Sequence, residues 1–260
     1  MPELPEAEAN RLAIEEECLN RTIEAAEPGD NVTYVELPGD NERKRLLGHR
    51  FTQTQRHGKM IFAGSKTGPW IAVHLGMTGR LMPFDEDDGV PRYAKFIIRF
   101  EGDRRLAFLN KRKLGWLKVI DDPAAFVEAE GYGPDAMAIS RDDFASVIGG
   151  TNGAIKSALM DQRKLAGIGN LWSDEMLMQT GVDPRHTASD LSQAKLDALF
   201  DAMHEILKAV SKTRMDYSRL PDDWLIADRN EGADCPRCDG SITKATVGGR
   251  TAYFCQKHQE

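Results

Sequence analysis

Cysteine is scarce in this 260-residue chain, with four in all, and aromatic residues make up only 7% of it. No apolar run approaches the roughly 20 residues that cross a bilayer, which excludes a membrane-spanning helix. The acidic start lacks the apolar core of a secretory signal, so a cytoplasmic protein is expected. There is no internal repeat and no low-complexity segment. Positive charge is also in deficit: the net charge is −7. In bulk that argues against a polyanionic partner, but local distribution matters more than the total. Between Arg92 and Lys118 stand nine Lys or Arg against Glu101 and Asp103, a local charge of +7 that leaves −14 for the remainder. Such a run is either a solvated strand face or a polyanion site, and its density in an acidic chain favours the second.

What is present fits a soluble globular protein of one large or two ordinary domains, with 41% hydrophobic and 29% charged residues. The spacing predicts a helix over residues 4–20, with Leu12, Ile14, Cys18 and Leu19 on its apolar side. Cys18, alone there, reads as a small core residue. Seven short β-rich runs follow: NVTYVEL, FTQTQRH, KMIFAG, WIAVHL, KFIIRF, RRLAFLN and GWLKVI. Their close spacing predicts an antiparallel sandwich or barrel. GYGPD at 131–135 is the boundary candidate, and beyond it the pattern turns helical. Ser140 is placed to cap a helix, and Gly181 to close one. Residues 191–212 carry Leu196, Leu199, Phe200, Met203, Leu207 and Val210 at helical spacing. An irregular stretch, 213–234, leads to the cysteine cluster.

That cluster pairs Cys235 and Cys238 as C-x2-C with Cys255 and His258 as C-x2-H. Two close pairs across a hairpin-length spacer predict one tetrahedral, structural zinc. A disulfide or a redox C-x-x-C are the alternatives; three cysteines cannot pair completely, and a cytosolic setting disfavours disulfides. Gly248-Gly249 marks the turn of the spacer hairpin, which places Arg250 near its tip as a candidate phosphate contact. Upstream, Gly167 and Gly169 flank Ile168 just before a helix, and Asn170 stands at its start. Exposed N–H groups there can bind an anion, or the feature is a plain inter-helix turn.

PELPE at 2–6, HLGMTGRL at 74–81, LMDQRKLAGIGN at 159–170 and GGR at 248–250 occur in this order across essentially the whole chain. In that combination the chain resembles the formamidopyrimidine-DNA glycosylase/endonuclease VIII family of base-excision repair enzymes. The resemblance implies a two-domain α+β protein. A helix and an antiparallel β-sandwich fill 1–130, a helix-two-turns-helix domain 131–230, and a zinc finger 231–260. It implies a bifunctional glycosylase and abasic-site lyase acting on damaged double-stranded DNA as a monomer. Pro2, freed by loss of Met1, would be the nucleophile: an α-amino group titrates near 8 and is partly unprotonated at neutral pH. Glu3 would be the general acid/base, Glu6 a supporting carboxylate and Lys59 a lesion-phosphate contact. Met77, Arg112 and Leu114 would fill the gap left by the extruded base. Asn170 and Arg250 would clamp phosphates, with Lys156 a further candidate.

The chain departs from the family at some of these positions. Leu114 stands where phenylalanine is usual, His258 where cysteine is usual, and 110–115 reads NKRKLG in place of DPRRFG. Residues 213–234 do not resemble the loop that caps 8-oxoguanine, so formamidopyrimidines, oxidised pyrimidines and abasic sites stand beside it as candidate lesions. The competing function is a damaged-DNA-binding or RNA-binding module that kept the fold without the chemistry. Pure binding needs neither the Pro2 amine nor Glu3, and this favours the enzyme.

Overall fold

The computed structural model describes residues 2–260. The expected removal of Met1 therefore lies outside the described residues. The chain forms two compact units, Met1–Glu130 and Gly131–Glu260.

The first unit opens with α1 (Leu4–Glu17), which ends three residues earlier than the periodicity predicts because Asn20 turns left-handed at φ 63°. After β1 (Ile23–Pro28) and the short α2 (Asp40–Leu46) come β2 (Gln53–His57), β3 (Met60–Gly64), β4 (Trp70–His74), β5 (Gly79–Asp85), β6 (Ala94–Phe100), β7 (Arg104–Asn110) and β8 (Trp116–Ile120). The short α3 (Pro123–Ala129) ends the unit. Two four-stranded sheets result, in the orders β1-β6-β7-β5 and β2-β3-β4-β8, with every pair of neighbours antiparallel. Ile61, Ile71, Val73 and Leu117 of one sheet share a core with Leu81, Phe96, Ile98 and Phe108 of the other. Ala7, Ile14 and Cys18 of α1 enter the same core. The sandwich with its helix is the expected architecture.

Two strands escaped the sequence pattern and one expected strand is absent. Residues 31–37 form no strand: Asn31 and Tyr34 take φ of 53° and 71°, and only Glu36 bridges, to Trp116. β1 (IEAAEP) is poor in β-formers and is defined by its pairing with β6. β5 contains Pro83, tolerated because β5 lies at a sheet edge.

The second unit contains α4 (Arg141–Gly149), α5 (Ile155–Met160), α6 (Asn170–Thr180), α7 (Gln193–Thr213) and a hairpin of β9 (Thr243–Val247) and β10 (Arg250–Phe254). Ser140 caps α4 by accepting from the Asp143 N–H, and Gly181 ends α6 at φ 62°, as expected. The apolar stripe of α7 buries Leu196, Leu199, Met203, Leu207 and Val210. Residues 214–233 hold only the 3-10 turns Tyr217–Arg219 and Leu225–Asp228, with Arg214 and Met215 left-handed. Among the described residues, no helix is long and apolar enough to cross a membrane.

Candidate nucleic-acid site and cysteine cluster

The PELPE stretch is not a loose tail. Pro5 falls in the first turn of α1, where its missing N–H has no partner to lose. Glu3 caps that helix, and its backbone N–H donates to Glu6 Oε2 at 2.7 Å. Glu3 and Glu6 are 1% and 7% exposed, and Pro2 is half-buried. Asn10 fixes the helix in place: its Nδ2 donates to the Glu6 carbonyl at 2.7 Å, and its Oδ1 accepts the Leu81 N–H of β5 at 2.6 Å. The start of the chain is thereby locked to a sheet, with two carboxylates one helical turn apart and buried.

Lys59 occupies the two-residue turn between β2 and β3, beside Gly58 at φ 54°. Pairing of Met60 with His74 brings Lys59 near a residue that sequence reasoning did not single out. Burial lowers the His74 pKa, and the Lys59 charge lowers it further. The signal available in the sequence was only a histidine ending a strand in HLGMTG.

Met77, Arg112 and Leu114 lie in two loops that touch. The Arg112 N–H donates to Thr78 Oγ1 at 3.1 Å. A Cβ on Gly76, whose φ is +64°, would stand 2.5 Å from the Leu114 backbone. Only glycine permits that approach. Arg112 and Leu114 are exposed and Met77 is half-buried.

In the second unit Asn170 is the first residue of α6, behind Gly167 at φ 124°. Gln162 builds the preceding turn: its Nε2 donates to the Met160 and Ile168 carbonyls, both at 2.8 Å, and its Oε1 accepts the Gly167 N–H at 3.0 Å. Asn170 Oδ1 is buried without a hydrogen-bond partner. Arg250 opens β10, exposed, beside Gly248 and Gly249 at φ 56° and 74°. A Cβ on Gly248 would meet Ser157 Oγ at 2.3 Å, so the hairpin tip rests on α5.

Lys156 requires a correction. It was expected at a DNA phosphate, but it is fully buried. Its Nζ lies 2.5 Å from Asp174 Oδ1 and donates to Ser173 Oγ and the Asn170 carbonyl, both at 3.1 Å. A short helix packed against α6 leaves that side chain no route to the surface, so it holds the first turn of α6 instead. Asp174 is also the anchor for two other segments. Its Oδ2 takes Arg229 Nη2 at 2.5 Å and the Tyr253 N–H of β10 at 3.1 Å. The neighbouring Glu175 accepts from Leu225 N at 3.2 Å and Ile226 N at 3.0 Å, and burial pushes its pKa up. Sequence reasoning missed these carboxylates because two adjacent acids in a helix usually face water.

The sulfurs of Cys235, Cys238 and Cys255 lie within 4.8 Å of one another. Backbone N–H groups of Arg237 and Gly240 point at Cys235 and Cys238 at 3.5 and 3.3 Å, the arrangement of a metal knuckle. Three converging thiols fit a soft or borderline cation such as a divalent metal. His258, expected as the fourth ligand, stands outside this cluster. Its Nε2 lies 2.9 Å from the Met178 carbonyl oxygen near the end of α6.

A helix-topped β-sandwich followed by a helical unit with a cysteine hairpin defines a two-unit α+β class of fold. The family model of the formamidopyrimidine-DNA glycosylase N-terminal domain matches residues 1–117, and that of the formamidopyrimidine-DNA glycosylase H2TH domain matches 131–219. The chain belongs to the formamidopyrimidine-DNA glycosylase family. It is 31% identical over 272 residues to a formamidopyrimidine-DNA glycosylase of Roseiflexus sp. (strain RS-1), covering all of both chains. It is 30% identical over 278 residues to one of Arabidopsis thaliana, covering all of this chain and 71% of the relative. A Lactococcus lactis formamidopyrimidine-DNA glycosylase, solved non-covalently bound to DNA containing an abasic site, shares the fold at a TM-score of 0.88 with 24% identity, each chain covered in full.

Proposed function

We propose that this protein is a bifunctional DNA glycosylase and abasic-site lyase of base-excision repair, acting on oxidised or ring-opened bases in duplex DNA. The observation that carries the proposal is the seating of PELPE: Pro2 immediately precedes two buried carboxylates at the N-terminus of α1. With Met1 removed, the Pro2 secondary amine attacks C1′ of the damaged nucleotide. The bond from C1′ to the base breaks, and the base leaves with its electron pair and takes a proton. Loss of the amine proton and opening of the sugar ring give an iminium between Pro2 and C1′. Glu3 carries protons to and from the sugar, and Glu6 holds the Glu3 backbone in place. Abstraction of a C2′ proton then expels the 3′ phosphate, which is the lyase step. Lys59, Asn170 and Arg250 take backbone phosphates, while Met77, Arg112 and Leu114 occupy the space left by the flipped nucleotide.

The cysteine cluster is proposed to hold one structural zinc through Cys235, Cys238 and Cys255. His258 donating from Nε2 to a carbonyl has the tautomer that leaves Nδ1 free to ligate, as zinc-bound histidines do. The zinc would supply folding energy to a hairpin with little core of its own.

Reductive trapping tests the chemistry. Borohydride added to the protein and an oligonucleotide bearing one oxidised base or abasic site should give a covalent complex attached at Pro2. A chain whose Pro2 nitrogen is blocked should give none. Absence of an adduct with every lesion tried, or an adduct unaffected by blocking Pro2, would overturn the assignment. Metal analysis should return about one zinc per chain, lost on Cys255→Ser.

A further inference from the structure

One aromatic side chain beside the Met77–Arg112–Leu114 loops has no part in the site described so far. Tyr93 lies in the connection between β5 and β6, and is 36% exposed at φ 70°. A left-handed backbone is uncommon for a bulky residue and marks a position the surroundings impose. Here the surroundings are identifiable: the Tyr93 carbonyl accepts the Asn110 N–H at 3.0 Å, tying it to the start of the loop that carries Arg112 and Leu114. The Arg92 guanidinium sits 4.6 Å from the Tyr93 ring centroid and the Lys111 ammonium 5.9 Å from it. Strain also concentrates at this end of the sandwich. Of seven non-glycine residues with positive φ among the described residues, Asn31, Tyr34, Tyr93 and Lys113 are here, and Lys113 Nζ donates to Asn31 Oδ1 at 2.6 Å.

We infer that Tyr93 is a stacking platform for an unpaired nucleobase of damaged duplex DNA, with Arg92 and Lys111 neutralising the adjoining phosphates. The inference rests on the proposed DNA-directed function and specifies a contact within it. An aliphatic Leu114 at the tip of the neighbouring loop, 53% exposed, can enter a base stack but offers no π-face. Tyr93 offers one on the loop tied to Asn110, framed by cations, which is the combination that holds unstacked bases. The base concerned is one whose own partner has left the helix, because paired bases keep their faces covered.

The strained backbone supplies a clean test. Tyr93→Gly removes the ring and also relieves the left-handed conformation, so the fold should be kept. The probe is a duplex with a tetrahydrofuran abasic analogue opposite 2-aminopurine, bound by the full chain. Tyr93→Gly should weaken binding about tenfold, as loss of a base-stacking aromatic does. It should brighten 2-aminopurine in the complex and leave the salt dependence unchanged. Tyr93→Phe should match the wild type in all three. Arg92→Gln should lower the slope of log affinity against log salt by about one. Binding by Tyr93→Gly within twofold of wild type, or equal 2-aminopurine emission in the two complexes, would overturn the inference. So would weaker binding with a reduced salt slope, since the ring would then only be steadying Arg92. A wild-type protein with no preference for the lesion duplex over an undamaged one would overturn this contact and the proposed function together. Failure of Tyr93 alone, in a wild type that does discriminate, would overturn only the contact.

Discussion

The loop end of the sandwich and the start of α6 use their cations in opposite ways. At the loop end of the sandwich Arg92, Lys111 and Arg112 are exposed, on loops with left-handed residues. At the start of α6 the cations are turned inward: Lys156 is fully buried and Arg229 partly so, both on the single carboxylate of Asp174. The first arrangement leaves charge available to a ligand. The second uses charge to fix backbone, since both Lys156 Nζ and Arg229 Nη2 reach the Asn170 carbonyl, at 3.1 and 3.5 Å. A basic residue in a sequence motif can therefore serve either purpose, and only its packing tells which.

The difference is broken most severely at the cysteine hairpin. Tyr253 connects that hairpin to Asp174, and the hairpin itself has a core of a few side chains. Structural zinc contributes on the order of 10 kcal/mol to such modules. Chelation, or Cys255→Ser, should therefore abolish amide protection over β9 and β10 in hydrogen exchange. Protection in β3 and β4, at the centre of the sandwich core, should persist. Loss of protection in both places alike would mean that the units do not differ in this way.

Asp174→Asn comes next. Removing one partner of a buried ion pair typically costs about 3–5 kcal/mol, because the other charge stays in a place that cannot hydrate it. Lys156 and Arg229 would both face that loss, so chemical denaturation should show a fall of that order. The matched change at the loop end, Arg112→Gln, should stay within about 0.5 kcal/mol, as exposed substitutions do. Its effect should appear in DNA affinity instead. A large stability loss from Arg112→Gln would erase the contrast between the two regions.

How far the sequence foretold this follows the same division. Features written in local chemistry were legible: the cap at Ser140, the αL glycine at 181, the Gly-Gly hairpin and the apolar stripe of α7. Pairing-dependent features were not. β1 is a strand because β6 lies beside it, and 31–37 is not one despite its β-branched content. At the candidate site, PELPE could be recognised as a helix start, but the burial of Glu3 and the role of Asn10 depend on a contact with Leu81, 71 residues on. At Lys156, spacing cannot distinguish an exposed lysine from one neutralised by a carboxylate 18 residues away. The C-x2-H spacing offers His258 as a ligand, but its hydrogen bond to the Met178 carbonyl, 80 residues distant, is not written in that spacing.

The smallest effect expected is in the first unit, at a half-buried histidine close to a lysine. His74 ends β4 with its ring stacked on Trp116 at 5.9 Å. Its pKa is lowered by burial first and by the Lys59 charge second. The folded state thus binds its proton less readily than the unfolded chain, in which histidine titrates near 6.5. The neutral ring's contribution to stability is complete above that pH and is lost as pH falls through the folded-state value. Stability should decline on acidification from about pH 6.5, and His74→Gln should flatten that part of the curve. Lys59→Met separates the two causes: in an NMR titration it should move the His74 midpoint upward, yet leave it below the unfolded value because burial persists. An unmoved midpoint would show that the Lys59 charge does not reach His74. Lys59 would then belong wholly with the outward-facing cations of the loop end.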